Sequence, residues 1–580
     1  MNNPTLGISG ILPSDLIVTE KKSSLLKNLR KIFKSLILPY WFSEEKLMAR
    51  ILLVTVISLN IGFVYVTVLV NNWEGQIFNT IQQMDKGKFF SLIFQFPIYI
   101  FFFLVTALTK EYLQDYLCFR WRTWMTNIHL TKWLTNKAFY KTLHPEAKFD
   151  NPDQRISQDI NNFAFITMRL LMTSFSSIIT TIAFANILWG LSPAVSLAII
   201  GLPDLYLSGY MLWLTIIYAL IASLIIYMIG KPMVKLDFIQ EKTEANFRFS
   251  MMRMIDRKEE TALINGEHDD FNFFKKIYHS IRDNFKEILI RRIYINISQN
   301  FFLNATAVIP LLAAAPMYFA GAITLGAITQ LTGAFNAIEN ALMIFVINFQ
   351  TLASWKTIAN RLEEFLTVMD ATNSEKSSAI KVIYGDRLVT KDLAIYKSKN
   401  HDLLFTINLD LNNGEKVLLK GPSGIGKTTL IKTIAGIWPY ANGEITRPTY
   451  IEIVPQKPYF PITTLRDAIL YGNANKSYSD ETIFSTLQDF GLSHLFAYLN
   501  MVGDWNTKLS LGEQQRLNFV RISLIKPKWL ILDEPTASLD VQNQTNAMNK
   551  LFRSLAESTI LTISHSQALE VLHNKVIMLD

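Results

Sequence analysis

The feature that most limits how this chain can fold is a set of uncharged apolar runs, each long enough to cross a bilayer as a helix. Ile51 to Val70, Phe89 to Thr109, Leu170 to Leu191 and Leu205 to Gly230 reach or exceed the ~20 residues that such a crossing needs. From Ile293 to Ile338 no charge appears, and the segment Gly321-Ala-Ile-Thr-Leu-Gly326 divides that stretch into two further helices. Six spans are expected. With half of its 580 residues apolar and 12% aromatic, the chain is too apolar for an ordinary soluble enzyme and long enough for two or three domains.

The net charge of +8 is distributed as a membrane topology would place it. Lys21, Lys22, Lys27, Arg30, Lys31 and Lys34 precede the first span. Eight Lys or Arg fall between Lys110 and Asn162 and thirteen between Lys231 and Arg292, whereas the short connections carry only Lys86 and Lys88. The positive-inside rule then puts both termini and the two long connections in the cytoplasm. No RNA- or DNA-binding motif interrupts these segments, so nucleic acid is not an expected partner. The lone Cys118 excludes an intramolecular disulfide and a multi-Cys metal site. The first strongly apolar run has the length of a true span and lies about fifty residues in, which argues against a signal peptide.

Leu25 to Trp41 alternates basic and apolar residues at helical spacing and reads as an amphipathic elbow on the inner membrane surface. Helical periodicity through Tyr112 to Phe139 and Glu241 to Arg292 extends the spans beyond the bilayer. The turn Phe149-Asp-Asn-Pro-Asp-Gln-Arg-Ile156, with Pro152 inside it, is expected to break one helix and cap the next.

The last third carries five motifs in fixed order: GPSGIGKTT from Gly421, VPQ ending at Gln456, LSLGEQQR from Leu509, LILDEP from Leu530, and Ser564-His565. Gly421, Pro422, Ser423, Gly424, Ile425, Gly426, Lys427, Thr428 and Thr429 fill a phosphate-loop template. In such a loop backbone amides cradle phosphates, the Lys neutralises charge and the Thr428 hydroxyl ligates Mg2+. Leu530 to Leu532 is expected as a buried strand that delivers Asp533, a magnesium-holding carboxylate, and Glu534, which polarises the attacking water.

LSLGEQQR resembles the signature of ATP-binding cassette (ABC) ATPases. The membrane half adds NPDQRISQDI from Asn151, EANFRFSMMRM from Glu244 and ETALINGE from Glu260. The ATPase half adds AGIWPY from Ala435, PQKPYFP from Pro455 and TLRDAILY from Thr464. Together these are similar to the SbmA/BacA-like and subfamily D group of ABC transporters, over roughly Trp41 to the C-terminus. The resemblance implies a half-transporter that works as a dimer, using ATP and Mg2+. Its fold would be an α-helical six-span transmembrane domain of the ABC exporter type, with helices extended into the cytoplasm, plus a C-terminal α/β P-loop nucleotide-binding domain.

By the same resemblance, Gln456 occupies the Q-loop position that couples magnesium and water to the membrane domain. His565 is the switch histidine, Asp540 lies in the D-loop, and Tyr396 stands where an aromatic ring stacks on adenine or else packs in the core. Ser510 and Gly512 are the signature positions that contact the γ-phosphate. The signature departs from the common LSGGQ, with Leu511 for the first Gly and Glu513 in the Gln position. Because a signature in this superfamily serves the loop of the opposite subunit, one of each per chain implies two chains, most economically a second copy, with a different half-transporter as the alternative partner.

The expected domains are 1–45 with the elbow, 46–360 with six membrane helices, a 361–384 linker, and 385–580 as the ATP-binding domain. Glu339, beside Asn336 and Asn340, is the intramembrane carboxylate that should face a cavity or a subunit interface. Asn186, Glu74 and Trp73 are weaker candidates for the same cavity. The relatives implied by the resemblance carry either hydrophilic compounds such as peptides and cobalamin, or long-chain acyl-CoA. A polar sixth span favours hydrophilic small-molecule or peptide cargo across a bacterial inner membrane. A channel or regulator gated by the ATPase is the competing class, and an intact Glu534 argues against it.

Overall fold

The computed structural model describes residues 25–142, 151–192, 194–197, 202–374, 380–398, 402–473 and 476–579. They form two compact units, one within 25–138 and 151–373 and the other within 139–142 and 374–579.

The first unit opens with α1 (Leu25–Ile32), which continues through a wide turn at Phe33–Ile37 and a tight one at Leu38–Phe42, with Pro39 in the tight turn's first positions. Its apolar face is docked in protein. Ile32, Leu36, Ile37 and Tyr40 are buried against Trp121, Met125, Phe163 and Phe365, and the Tyr40 and Trp121 rings stack at 5.7 Å. Lys31 pairs with Glu363 at 2.5 Å. The segment is thus amphipathic, as its spacing predicts, and that face covers the helix bundle.

The long helices follow as α2 (Lys46–Gln82), α3 (Lys86–Leu134), α4 (Ile160–Leu191), α5 (Tyr210–Gly230), α6 (Met233–Asp256), the short α7 (Lys258–Ile264), α8 (Glu267–Phe319), α9 (Leu325–Ile347) and α10 (Phe349–Ser374). Among the described residues six helical stretches are long and apolar enough to cross a membrane, in agreement with the sequence. Phe94, Phe101, Ile182, Leu220 and Phe301 stand exposed on them, as expected of side chains that face lipid. The break after α8 falls where the glycines predict it, with Gly321 at φ +73°. The fourth span differs from expectation. Its helix begins at Tyr210, behind Gly209 at φ +65°, because Leu202–Leu207 is a strand, β2, that pairs antiparallel with β1 (Val195–Leu197). Apolar content alone does not separate that hairpin arm from the helix it precedes. At the other end, α10 runs continuously past residue 360 to Ser374, so the boundary expected at 360 lies inside a helix.

A polar seam joins α2 to α9. The Asn79 side chain accepts from Gly326 N at 2.9 Å and Gln82 accepts from Leu325 N at 3.0 Å, which satisfies orphan amides in the first turn of α9. Gln330 donates to Asn72 O at 3.3 Å. Glycines make the approach possible: a Cβ on Gly326 would lie 1.9 Å from Gly75 O, and one on Gly333 would lie 2.0 Å from Asn71 Oδ1. Farther along, Asn151 (φ +44°) and Pro152 open the turn that leads into α4. Pro152 starts the helix at a first-turn position, where its missing N–H costs nothing, while Asn151 makes no side-chain cap. Residues 149 and 150 of that expected turn lie outside the described residues. Buried Arg155 donates to Arg361 O at 2.7 Å, and buried Asp159 pairs with Arg361 at 3.2 Å, tying this turn to α10.

The second unit contains β3 (Ile380–Tyr384), β4 (Leu388–Tyr396), β5 (Leu403–Ile407), β6 (Asp410–Leu411), β7 (Lys416–Lys420), α11 (Lys427–Ile434), β8 (Ala441–Arg447), β9 (Glu452–Val454), β10 (Thr463–Thr464), α12 (Leu465–Ile469) and α13 (Asp480–Asp489). It continues with a 3-10 turn (Ser493–Tyr498), β11 (Val502–Gly503), α14 (Trp505–Lys508), α15 (Leu511–Ile525), β12 (Trp529–Asp533), α16 (Val541–Ser554), β13 (Thr559–Ile563) and β14 (Lys575–Met578). One sheet, β14-β7-β13-β12-β9, is all parallel, and a second has the order β3-β8-β4-β5 with β6 beside β4. Strands β12 and β13 are buried at every position, as expected of central strands covered on both faces.

Gly326→Ala should destabilise the first unit by ~1–3 kcal/mol, the usual cost of forcing a methyl into a filled contact. Gly190→Ala, whose new methyl would meet nothing within 4 Å, should leave thermal stability in lipid nanodiscs unchanged.

Candidate nucleotide-binding site

Parallel pairing brings the chemistry to one edge of the sheet. Leu419 on β7 lies opposite Ile563 on β13, Asp533 on β12 lies opposite the same Ile563, and Leu532 lies opposite Val454 on β9. The residues that follow these strands therefore leave the sheet side by side: the loop from Gly421, Ser564-His565, Glu534, and Pro455-Gln456. Ligands of open parallel sheets bind beyond this carboxyl edge. The Gln456 side chain is exposed there.

The loop from Gly421 to Thr429 turns tightly into α11. Gly424 and Gly426 have φ of +85° and +112°, and a Cβ on Gly426 would lie 3.0 Å from the Phe405 ring. Only glycine fits there without strain. Lys427 is buried and its Nζ donates to Gly421 O at 2.7 Å and Pro422 O at 3.0 Å. It also lies 2.8 Å from His565 Nε2. An ammonium only donates, so His565 accepts on Nε2 in this arrangement. Burial draws the Lys427 pKa downward, against the pull of Glu534 and Asp533.

Thr428 Oγ1 donates to Asp533 Oδ2 at 3.0 Å. Burial raises the Asp533 pKa, while the Thr428 hydroxyl, Lys427 and Lys432 oppose the rise. A hydroxyl and a buried carboxylate at one point make an all-oxygen donor set, which suits a small hard cation such as Mg2+. Beside them Glu534 holds φ +44°, a left-handed conformation unusual for a residue with a side chain. Its amide is anchored to Ile563 O at 2.9 Å. Oε2 accepts from Ser564 at 3.4 Å, whereas Oε1 is buried without a hydrogen-bond partner and His565 Nε2 stands 3.7 Å away. A strained backbone that carries an unsatisfied carboxylate oxygen is a frequent mark of a reactive site.

Other candidates occupy different places. Tyr396 ends β4, where its N–H donates to Tyr440 O at 2.9 Å and its carbonyl accepts from Trp438 Nε1 at 3.0 Å. The Trp438 and Tyr440 rings meet edge-on at 5.7 Å, so an aromatic corner stands where the sequence singles out one ring. Asp540 caps α16 by accepting from Asn543 N at 2.9 Å, a bond that lowers its carboxyl pKa.

Ser510 caps α15 in a reciprocal box: its hydroxyl accepts from Glu513 N, and Glu513 Oε2 accepts from Ser510 N at 3.0 Å and Oγ at 2.8 Å. Partial burial works against the Glu513 charge, but these bonds and His494 Nε2 at 3.1 Å outweigh it and hold the carboxyl below its usual range. His494 carries no motif, and the sequence offers no signal for it. Gly512 sits in the first turn, where a Cβ would lie 3.4 Å from Leu539, an ordinary contact. Among the described residues no hydrogen bond links Ser510 or Gly512 to the loop at 421–429.

In the first unit, Glu339 is buried, and the Thr306 hydroxyl lies 2.8 Å from Phe302 O and 3.2 Å from Tyr218 Oη. Trp73 instead bonds Leu92 O at 2.8 Å and stacks on Phe96 at 4.7 Å. That makes it a peg between α2 and α3.

Residues 32–319 match the family model described as ABC transporter transmembrane region 2, and residues 404–537 match that described as ABC transporter. An uncharacterized ABC transporter ATP-binding protein of Haemophilus influenzae is 31% identical over 543 residues, covering 93% of this chain and 90% of that protein. ABC transporter D family member 2, chloroplastic, of Arabidopsis thaliana is 28% identical, covering 99% of this chain and 89% of its own length. The inner membrane ABC transporter ATP-binding protein YddA of Escherichia coli is 29% identical, covering 91% and 94%. Among solved structures, a bacterial Atm1-family ABC exporter with ATP bound superposes with TM-score 0.74 at 13% identity, over 92% of this chain and 94% of that one, which shows a shared fold. A transmembrane region fused to an ATP-binding domain, kin to D family members, places this chain in the ABC transporter family, as a half-transporter that couples ATP hydrolysis to transport.

Proposed function

We propose that two copies of this chain hydrolyse ATP between the phosphate loop of one and the signature of the other, and thereby move a hydrophilic cationic cargo across a bacterial inner membrane, with both termini in the cytoplasm. Inner-membrane placement rests on the similarity to YddA and on the Lys and Arg distribution. The pairing of copies rests on the single loop and single signature per chain.

In this reading Lys427 exchanges its bonds to Gly421 O, Pro422 O and His565 for the β- and γ-phosphates, since one ammonium cannot serve both sets. The amides that open α11 bind the same phosphates. Release of His565 Nε2 lets that ring turn to the γ-phosphate. Glu534 Oε1, which already lacks a donor, accepts from the attacking water and orients it in line. Thr428 and Asp533 are the residues that would hold Mg2+, which supplies charge neutralisation on the phosphate oxygens when bound. Gln456, at the same edge, would sense that cation and the water.

The observation that carries the cargo reading is a cavity of about 720 Å³ within the first unit. Its wall holds five carboxylates, Asp153, Asp159, Asp237, Glu241 and Glu244, against two guanidiniums, Arg248 and Arg361. Such a wall attracts cationic solutes and repels anions. The second reading, long-chain acyl-CoA, is favoured by the similarity to D family members, but an anionic coenzyme would meet the same carboxylates.

Glu534→Gln should lower kcat for ATP hydrolysis by about two to four orders of magnitude, the usual worth of a positioned acid or base, while nucleotide binding by fluorescence persists. In proteoliposomes, ATP should drive uptake of a labelled short cationic peptide. Uptake should fall in Glu241→Gln/Glu244→Gln with ATP hydrolysis retained. Movement of acyl-CoA with none of the peptide would overturn the cargo reading.

A further inference from the structure

The reciprocal cap at the start of α15 raises an electrostatic difficulty for the dimer reading, on which this inference rests. The first turn of a helix offers roughly half a positive charge and free amides to an anion. Here an anion already lies there, because Glu513 folds back onto Ser510 N and Ser510 Oγ at 3.0 and 2.8 Å. A γ-phosphate delivered from the other copy's loop would meet a like charge and would compete for the same Ser510 hydroxyl. A neutral glutamine, the common residue at this position, would not create the difficulty.

Neighbouring side chains are committed elsewhere. Gln514 Nε2 donates to Asn506 O and Leu509 O, each at 2.8 Å, and Gln515 Oε1 accepts from Ser538 N at 3.0 Å. Arg516, the nearest cation along the helix, turns its Nη1 to Phe490 O at 3.3 Å and Gly491 O at 3.4 Å. The group that does reach Glu513 comes from another element. His494 Nε2, on the turn Ser493–Tyr498, is 3.1 Å from Glu513 Oε1. A carboxylate oxygen only accepts, so the imidazole N–H donates. The turn is held firmly, with Leu492 and Leu495 buried in the core and the Phe496 ring 5.0 Å from Phe484. The His494 side chain itself is 55% exposed, so the pair is reached from solvent.

We propose that His494 is a positioning residue for ATP hydrolysis, which holds Glu513 and offsets its charge so that the signature can accept the terminal phosphate from the partner copy. Its bond to Oε1 keeps the carboxylate occupied when Ser510 Oγ turns to phosphate. His494 and Glu513 together thus do what a single glutamine does in the common signature.

A double-mutant cycle on the full-length transporter in lipid nanodiscs tests this through steady-state ATP hydrolysis. His494→Ala in the wild-type background should lower kcat/KM about three- to five-fold, in the range of a single hydrogen bond. In a Glu513→Gln background the same substitution should change kcat/KM by less than the error, because the charge that His494 offsets is gone. A merely structural histidine would show the same loss in both backgrounds, with a lower melting temperature, and that outcome overturns the proposal. Wild-type activity in His494→Ala overturns it as well. Ser510→Ala separates the layers: full activity there sinks the signature reading itself, whereas a loss there with His494→Ala unaffected sinks only the role of His494.

Discussion

Parallel pairing of β7, β13, β12 and β9 is the constraint on which the ATP chemistry depends. Each strand ends within a residue or two of its neighbour, so the loop, His565, the two carboxylates and Gln456 emerge along one line. Apart from the adjacent Asp533 and Glu534, these groups come from segments far apart in sequence. Burial of β12 and β13 at every position holds that line, since both are central strands covered on both faces. The left-handed backbone at Glu534 is paid for by this rigidity: its amide is held by Ile563, so strain is tolerated where the carboxylate must point.

The membrane unit obeys a different economy. Lipid provides no apolar drive for helices to associate, so close contact and interhelical hydrogen bonds must hold them. The seam of α2 and α9 uses both, with Gly75 and Gly326 in near contact and Asn79 and Gln82 capping the start of α9. Toward the other end, buried Arg155 and Asp159 and half-buried Arg361 bind the start of α4 to α10. Breaking one member of such a buried set leaves a charge without its partner, which costs more than the set contributes. The bundle also buries Glu339, with the Thr306 hydroxyl 3.2 Å from Tyr218 Oη, whereas the acidic cavity lies beside the second fastening and has exposed Asp153, Glu241 and Glu244 in its wall.

Much of this was legible before any coordinates. Charge-free length reveals a membrane helix because the bilayer sets one thickness, and the phosphate loop is legible because its glycines and lysine occur at fixed spacing. Legibility failed where a residue's role depends on the partner that the fold brings to it. Leu205 reads as membrane helix by composition and lies in a hairpin strand ahead of Gly209. Trp73 reads as cavity rim and packs between two helices. His494 has no sequence signal, since its meaning comes from Glu513, nineteen positions away and on another element. Glu513 itself was visible as a departure from the usual signature, but its cap on Ser510 needed coordinates.

The central claim is that each ATP site is shared between two chains, and nucleotide trapping in dimers of defined composition tests it most directly. One chain would carry both Lys427→Ala and Ser510→Arg, paired with an unaltered chain through two affinity tags, and vanadate-trapped nucleotide would be counted per dimer. If loop and signature meet across the dimer, both sites are broken and no nucleotide is trapped. One trapped nucleotide per dimer would mean that the unaltered chain completes a site by itself, and would contradict the account.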